Sequence, residues 1–549
     1  MNKKTILVFV LLLFCGCLRE GAFSEDLIHA DYRPDYKLDI ELFPDEHKIE
    51  GRLKAEVPNS LDKDILGIIP PDLTIDYIKD EDGNDIEYKR ERDSSYNISD
   101  SMFIPPENFK LLEIHFSGKP YDNVGNRNCI GKYTYWSTSQ IFYLNVPSDS
   151  ASFSVTVPKN FKVVKLEEGR IENSDFKYVA GEEPVVRSEN NKTTYFFKSN
   201  PFGFSFVCSD YVSTLDTKDG VFYKVYLSPG HENMLKPVTT LSKKLIDFYS
   251  DKYYPYSLSE FRVVEAEGIG TIHVNDEYST CLSTFNYSTH LYEGLKDLGF
   301  EKQMSKMLER YFDSIAGVLV HETSHFWFGG LVISEKLNEA FAVFSELLFT
   351  EHLDPNLSKE LRKYYTDVLI GITDWQNVSL AEVTPYTNPN YNIIYYKGGM
   401  IIYMLYDILG DALFDVFHSY FEIYKGEPGA PEKASLEDFI ALVNQKKDLK
   451  WFFDEWVYKP GLPAYALLNP SISYRNGEYR IDVDIIQKGE IYKMPVEIKV
   501  GKNIETFWVD SPVERVGIYS DSLPSRLILD PNWKIPRYGG EVWLNLTDG

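Results

Sequence analysis

The apolar residues of this chain change their spacing twice, and that change limits what it can fold into. From about residue 32 to residue 211 they alternate with polar ones, as in Tyr36-Lys37-Leu38-Asp39-Ile40-Glu41-Leu42 and Ser152-Phe153-Ser154-Val155-Thr156-Val157. A period of two puts one set of side chains on each face of a strand. Turn formers such as Asp82-Gly83-Asn84-Asp85 and Pro105-Pro106-Glu107-Asn108 separate the runs, so this part reads as all-β. From residue 237 the period lengthens: Leu241, Leu245, Ile246 and Tyr249 share one helical face, and helical stretches recur to residue 424. Two strand-like segments, 222–227 and 261–274, precede the densest helical part. Residues 436–458 read as helix again and stop at Pro460-Gly461-Leu462-Pro463, a run that no helix continues through. Beyond it 479–486, 496–500 and 526–529 read as strands of a small sandwich. A chain of 549 residues exceeds one ordinary core. The expectation is a multidomain α+β protein, with an N-terminal β-sheet domain at 18–213, a mixed, mainly helical domain at 214–463 and a C-terminal β-sandwich at 464–549.

The first residues carry an export pattern. Lys3 and Lys4 precede an apolar run at 6–14, followed by Cys15-Gly16-Cys17 and charged residues. The run is about half of the roughly 20 residues a helix needs to cross a bilayer. Gly16 before Cys17 resembles a lipoprotein processing box, so residues 1–17 are expected to be a signal peptide, with Cys17 lipidated and the protein held at the outer face of the cell membrane. Cys129, Cys208 and Cys281 then remain, an odd number that leaves at most one bridge, Cys129 with Cys208 being the favoured pair. The net charge of -26 argues against nucleic acid as a partner, because a polyanion would be repelled. Asn-x-Ser/Thr triplets begin at Asn97, Asn191, Asn286, Asn356, Asn377 and Asn545, and in a chain this rich in Asn and Ser most are chance.

The chemistry is concentrated in residues 314–330, read as an apolar helix carrying His321-Glu322-Thr323-Ser324-His325. At 3.6 residues per turn His321 and His325 lie on one face about one turn apart, so both imidazoles can reach one ion at the roughly 2.0–2.1 Å that zinc prefers. Glu322 sits about 100° round the helix, close enough to deprotonate a water without being a ligand. Two histidines leave a catalytic zinc short of one protein ligand, which a carboxylate from a following helix commonly supplies. The helical run 337–346 offers Glu339, with Glu335 and Glu346 as rivals.

His321-Glu322-x-x-His325-x-Trp327-Phe328-Gly329-x-Leu331-Val332, followed by Asn338-Glu339-x-Phe341-Ala342, resembles the gluzincin aminopeptidase family typified by membrane alanyl aminopeptidase, in a short form without its large C-terminal helical domain. The resemblance implies a thermolysin-like catalytic domain and one zinc per chain, with Glu339 as third ligand and Glu322 as general base. The family usually places 18 residues between the second histidine and that glutamate, whereas here 13 separate His325 from Glu339. Tyr395-Tyr396-Lys397-Gly398-Gly399 is similar to the family's Tyr-x-Lys-Gly motif, which makes Tyr395 the matching donor to the oxyanion. The segment 452–463 and Leu529-Asp530-Pro531 also resemble family segments. In Glu265-Ala266-Glu267-Gly268-Ile269-Gly270, Glu267 aligns with the glutamate that binds the substrate's free α-amino group. The resemblance implies a monomeric aminopeptidase that hydrolyses the N-terminal bond of peptide or protein substrates. A zinc endopeptidase, or a catalytically impaired peptide-binding lipoprotein retaining the fold, are the alternatives. The segment 286–306 reads as an insertion near the cleft.

Overall fold

A computed structural model describes residues 36–57, 64–92, 100–105, 110–119, 134–137, 143–144, 151–167, 170–172, 175–177, 184–199, 204–266, 272–273, 279–283, 315–334, 336–371, 377–383, 392–426 and 432–546. The signal segment with Cys17, Cys129, Glu267, Glu335 and the segment 286–306 lie outside these residues.

The alternating N-terminal runs form strands. Tyr36–Phe43 lies between Lys48–Glu56, antiparallel to it, and Ala151–Pro158, parallel to it, in a seven-stranded sheet. Its Tyr36, Leu38, Ile40 and Leu42 all point into the core while the intervening residues do not, which is the period-two pattern written in the sequence. A four-stranded sheet of Lys89–Arg92, Asp100–Ile104, Ile65–Ile69 and Tyr143–Leu144 supplies further residues to this core. Cys208, on the strand Phe204–Ser209, is buried within it. Hydrogen bonds tie this region to the next, among them Arg262 Nη1 donating to the Lys165 carbonyl at 3.1 Å and Tyr211 Oη to the Glu265 carbonyl at 2.7 Å.

The middle of the chain begins with a five-stranded sheet in the order Val212–Lys218, Val221–Leu227, Glu260–Ala266, Ser279–Ser283, Ile272–His273. Helix α1 (Leu235–Lys252) makes the crossover between the parallel strands Val221–Leu227 and Glu260–Ala266, burying Leu245, Ile246 and Tyr249. There follow α2 (Ile315–Ser324), α3 (Asn338–Leu353), α4 (Pro355–Gly371), α5 (Gly399–Leu409), α6 (Ala412–Tyr424), α7 (Leu436–Lys446) and α8 (Lys450–Trp456). Every residue of α3 from Glu339 to Thr350 is buried, so this helix is the axis of the region. A helix buried on all sides is mostly apolar all round, and the few polar side chains of α3, Glu339 and Glu346 among them, need partners in the interior.

Two helices differ from the reading of the sequence. The one expected over 314–330 ends at Ser324, because the chain turns back on itself: Gly330 N donates to the His325 carbonyl at 2.9 Å and Gly329, at φ 122°, bonds Val332 O at 2.8 Å. The helix expected over 436–458 breaks into α7 and α8. Lys447 is extended there, and the Asn444 side chain accepts from Leu449 N at 2.8 Å, which closes a local turn instead of a helical one.

The C-terminal strands form two sheets, one of Ala464–Arg475, Glu478–Lys488 and Val513–Ser520, the other of Asn503–Val509, Met494–Val500, Arg526–Leu529 and Val542–Asn545. Their inward residues continue the core of the helical region without a break, whereas the N-terminal sheets have a separate core. Trp456 at the end of α8 packs on Tyr492 with ring centroids 4.8 Å apart. Asp530, in the motif Leu529-Asp530-Pro531, forms a buried pair with Arg537 at 2.5 Å. Among the described residues no helix is long and apolar enough to cross a membrane.

Candidate metal centre

His321 lies in the last turn of α2 and His325 just past its end, yet the pair keeps the geometry of one helical turn, with ring centroids 5.2 Å apart. Each imidazole is oriented by its Nδ1. His325 Nδ1 lies 3.0 Å from the Phe328 carbonyl, an acceptor only, so that nitrogen carries the proton and Nε2 keeps its lone pair. His321 Nδ1 faces Glu346 Oε2 at 3.5 Å. Both Nε2 atoms converge on one oxygen: Glu339 Oε2 is 3.4 Å from His321 Nε2 and 3.4 Å from His325 Nε2.

That spacing can be compared with a metal site. Two ligands roughly 2.0–2.1 Å from a common zinc at tetrahedral angles stand roughly 3.3–3.4 Å apart. The three ligand atoms of His321, His325 and Glu339 lie within 4.8 Å of one another, and all three residues are largely buried. The donor set, two imidazoles and one carboxylate with Glu346 behind, fits a divalent cation in chemistry as well as spacing.

The connector of 13 residues reaches because of how it is seated. Trp327 is wholly buried, donates from Nε1 to the Tyr254 carbonyl at 2.7 Å and packs on Tyr249 and Tyr253. Phe328 packs at a tilt on Phe341 of α3, with ring centroids 4.6 Å apart. The chain then pairs Val332–Ile333 with Glu432–Lys433 and enters α3 through a turn in which the Asn338 side chain accepts from Ser334 N at 2.8 Å. This brings Glu339, in the first turn of α3, beside the histidines. Hydroxyls of α1 and of the residue that caps it brace the same two helices: Tyr249 Oη donates to the Val320 carbonyl at 3.0 Å, and Tyr253 Oη bonds Ser345 Oγ at 2.8 Å.

Burial and mutual charge shift the groups of the cluster. Burial raises the Glu322 carboxyl pKa, with the His321 and His325 imidazoles pulling it back. Burial would also raise Glu339, but His325 and His321 outweigh it and hold Glu339 well below the usual carboxylate range. Burial opposes charge on His321, yet Glu339 and Glu346 overcome it and lift its pKa well above the ordinary imidazole value. The same surplus of carboxylates around the two imidazoles favours a cation among them.

Tyr395 comes to the same place from the other side. It sits in a π-turn, Ile394–Gly398, and its ring lies nearly parallel to that of His321, with centroids 6.3 Å apart and planes 10° apart. The two glycines that follow allow this approach. A Cβ on Gly398 would lie 2.7 Å from Ala340 Cβ, and one on Gly399 2.3 Å from Val343 Cγ1, so only hydrogen fits where α5 presses on α3.

Residues 241–456 match the peptidase family M1 domain. The match covers less than half of the chain. The matched segment contains α2, α3, the π-turn and every residue of the cluster described above. The whole chain is similar to probable aminopeptidase 1 of Sulfurisphaera tokodaii, at 22% identity over 523 residues covering 90% of this chain and 61% of that protein. It is also similar to glutamyl aminopeptidase of Mus musculus, at 24% over 359 residues covering 62% and 36% of the two chains. Aminopeptidase N of Lactobacillus delbrueckii subsp. lactis is 27% identical over 282 residues, 46% of this chain and 30% of that one. The chain spans less than two thirds of the length of these curated relatives.

Of the residues singled out in the sequence, the structure brings together His321, Glu322, His325, Glu339 and Tyr395. Glu346, a rival to Glu339 as ligand, lies on the other nitrogen of His321, an arrangement suited to orienting the ring. Its seven-residue distance from Glu339, two helical turns, is the signal that puts both on one face. Glu267 is outside the described residues; Glu265, two positions earlier, is buried and spent on Ser228 N at 2.6 Å and His231 Nδ1 at 2.9 Å.

Proposed function

We propose that the protein is a zinc metallopeptidase with a thermolysin-like catalytic domain, acting as an aminopeptidase on peptides. The observation that carries this reading is the convergence of His321 Nε2 and His325 Nε2 on Glu339 Oε2, each at 3.4 Å. A zinc ion held by these three residues supplies Lewis acidity toward a peptide carbonyl and toward water. Glu322, next to His321 but not one of the three grouped ligands, takes the proton of the attacking water, and its buried carboxyl, with a raised pKa, then returns that proton to the leaving amine. The Tyr395 phenol donates to the oxyanion of the tetrahedral intermediate, a contact absent from the planar ground state. Glu267 pairs with the substrate's α-ammonium group and limits cleavage to the first bond. Export, and anchoring to the outer face of the membrane through Cys17, rest on the leader-like sequence alone.

Zinc content and substrate mode test the reading together. Purified protein should contain about one zinc per chain and hydrolyse amino-acid amides, with activity lost to a chelator and restored by zinc. A metal-free protein indifferent to chelators would overturn it and leave the peptide-binding alternative. Equal turnover of N-acetylated peptides would remove the amine-binding role of Glu267 and make the protein an endopeptidase.

A further inference from the structure

Lys397 has a place in the fold that the reaction does not explain. It is 2% exposed, and among the described residues it bonds the backbone carbonyl of Lys459, with Nζ donating at 2.9 Å. Burying an amine costs free energy unless something is gained from its hydrogen bond, and an apolar side chain of similar length would fill the same space more cheaply.

The acceptor is fixed and otherwise lacks a helical donor. Helix α8 ends at Trp456, and the residue four beyond Lys459 is Pro463, which has no N–H to give to the Lys459 carbonyl. The segment is clamped from the sandwich: Tyr492 Oη donates to the Pro460 carbonyl at 3.0 Å, Lys459 Nζ bonds Ile491 O at 3.2 Å, and Lys459 pairs with Glu490 at 2.9 Å. The donor end is an irregular element. In the π-turn the Gly399 N–H is shared between the Tyr395 and Tyr396 carbonyls, and π-turns are rare single-turn insertions that persist where their surroundings hold them. Relaxation to ordinary α-helix would rotate the preceding side chains by about 100°, carrying the Tyr395 ring away from His321. Tyr396 packs on Tyr365 at 5.1 Å and Gly398 on Ala340, so Lys397 is the polar anchor on the remaining side.

We propose that Lys397 is a positioning residue, which pins the π-turn to the Lys459 carbonyl and so holds the Tyr395 phenol over the metal centre. By the same contact the C-terminal sandwich, which fixes residue 459, takes part in shaping a site it does not touch. This rests on the reading of Tyr395 as oxyanion donor.

The test is a double-mutant cycle with Lys397→Met and Tyr395→Phe in the full chain, read on an amino-acid amide. A wild type without activity, or a Tyr395→Phe variant with unchanged kcat, would refute the Tyr395 reading itself. With that reading in place, Lys397→Met should lower kcat at least ten-fold, toward the roughly 10²–10³ that loss of an oxyanion donor costs, with KM and zinc affinity within about three-fold of wild type. In the Tyr395→Phe background the same change should alter kcat by less than about three-fold. Losses that multiply in the double variant, or a single variant with wild-type kcat, would overturn the proposal. Amide hydrogen exchange over residues 392–400 supplies a readout free of activity, and still applies if Lys397→Met proves too unstable to assay, using Lys397→Gln instead. Exchange there should be faster than in wild type while α3 is unchanged, and wild-type protection of the π-turn would overturn the proposal.

Discussion

Replacing Glu346 by Gln separates the two carboxylates that compete for the role of third ligand. They stand on one face of α3, two turns apart, with the His321 ring between them: Nε2 toward Glu339 at 3.4 Å, Nδ1 toward Glu346 at 3.5 Å. If Glu339 holds the metal and Glu346 only orients His321, Glu346→Gln removes a charge and leaves an amide oxygen able to accept from Nδ1–H. The volume of this buried position is kept, so no cavity confuses the result. Loss of such an outer partner typically costs 10–100-fold in metal affinity. A separation of 3.5 Å is long for a hydrogen bond and the amide keeps part of the interaction, so the lower end applies, about ten-fold or ~1.4 kcal/mol. Glu339→Gln instead removes a ligand and should weaken binding by at least a further factor of about ten. Glu351→Gln, five residues beyond Glu346 and paired with Arg362 and Tyr403, is the control and should bind zinc as wild type does. Zinc competition against a chromogenic chelator at fixed pH gives all three constants. The reasoning fails if Glu346→Gln binds zinc as tightly as wild type, and the assignment reverses if it binds more weakly than Glu339→Gln.

Glu322→Gln should keep zinc bound but lose roughly 10²–10⁴ in kcat, and near-normal turnover in a steady-state assay would exclude it as the base. Gly330→Ala should lower Tm and zinc affinity together, because its Cβ would stand 2.4 Å from the Phe326 carbonyl oxygen in the turn that carries His325; overpacking of this kind costs about 1–3 kcal/mol, and an unchanged Tm would contradict the tight turn. The buried Lys397 ammonium is pushed down to about 7, first by desolvation and then by Lys459. The unfolded chain keeps this proton up to the ordinary lysine value of 10.5, so between the two pH values unfolding takes up a proton and the contribution of Lys397 to stability rises with pH by about 1.36 kcal/mol per unit. The Tm of wild type relative to Lys397→Met should therefore climb from pH 7 toward pH 10; a constant difference would mean the amine is not desolvated as described.

What the sequence made legible follows from how local its causes are. Alternation in Tyr36–Phe43 and the helical face of α1 are properties of neighbouring residues, and both elements formed where the pattern placed them. The strands Ala464–Arg475, Asn503–Val509 and Val513–Ser520 went unread because their outward positions are also apolar: Ile472, Tyr474, Trp508 and Tyr519 stand exposed and blur the period of two. The early stop of α2 depends on backbone bonds from Gly329 and Gly330, which no count of apolar residues reports. Nor could spacing rank Glu339 against Glu346, since seven residues is two whole turns and leaves both on the same face.

The short connector is the clearest case of tertiary structure answering a question that sequence poses. Compared with the usual 18 residues, 13 reach because α2 ends one residue before His325, so the polypeptide leaves the helix axis at the second histidine instead of several residues later. The saved length is then taken up by aromatic packing: Trp327 fills the space against Tyr249 and Tyr253, and Phe328 lies on Phe341, which shares with Glu339 the first turn of α3. Because Phe328 also offers its carbonyl to His325 Nδ1, one residue sets both the orientation of an imidazole and the distance between the two helices. Phe328 therefore couples the imidazole to the helix of the carboxylate, and a substitution there would move both at once.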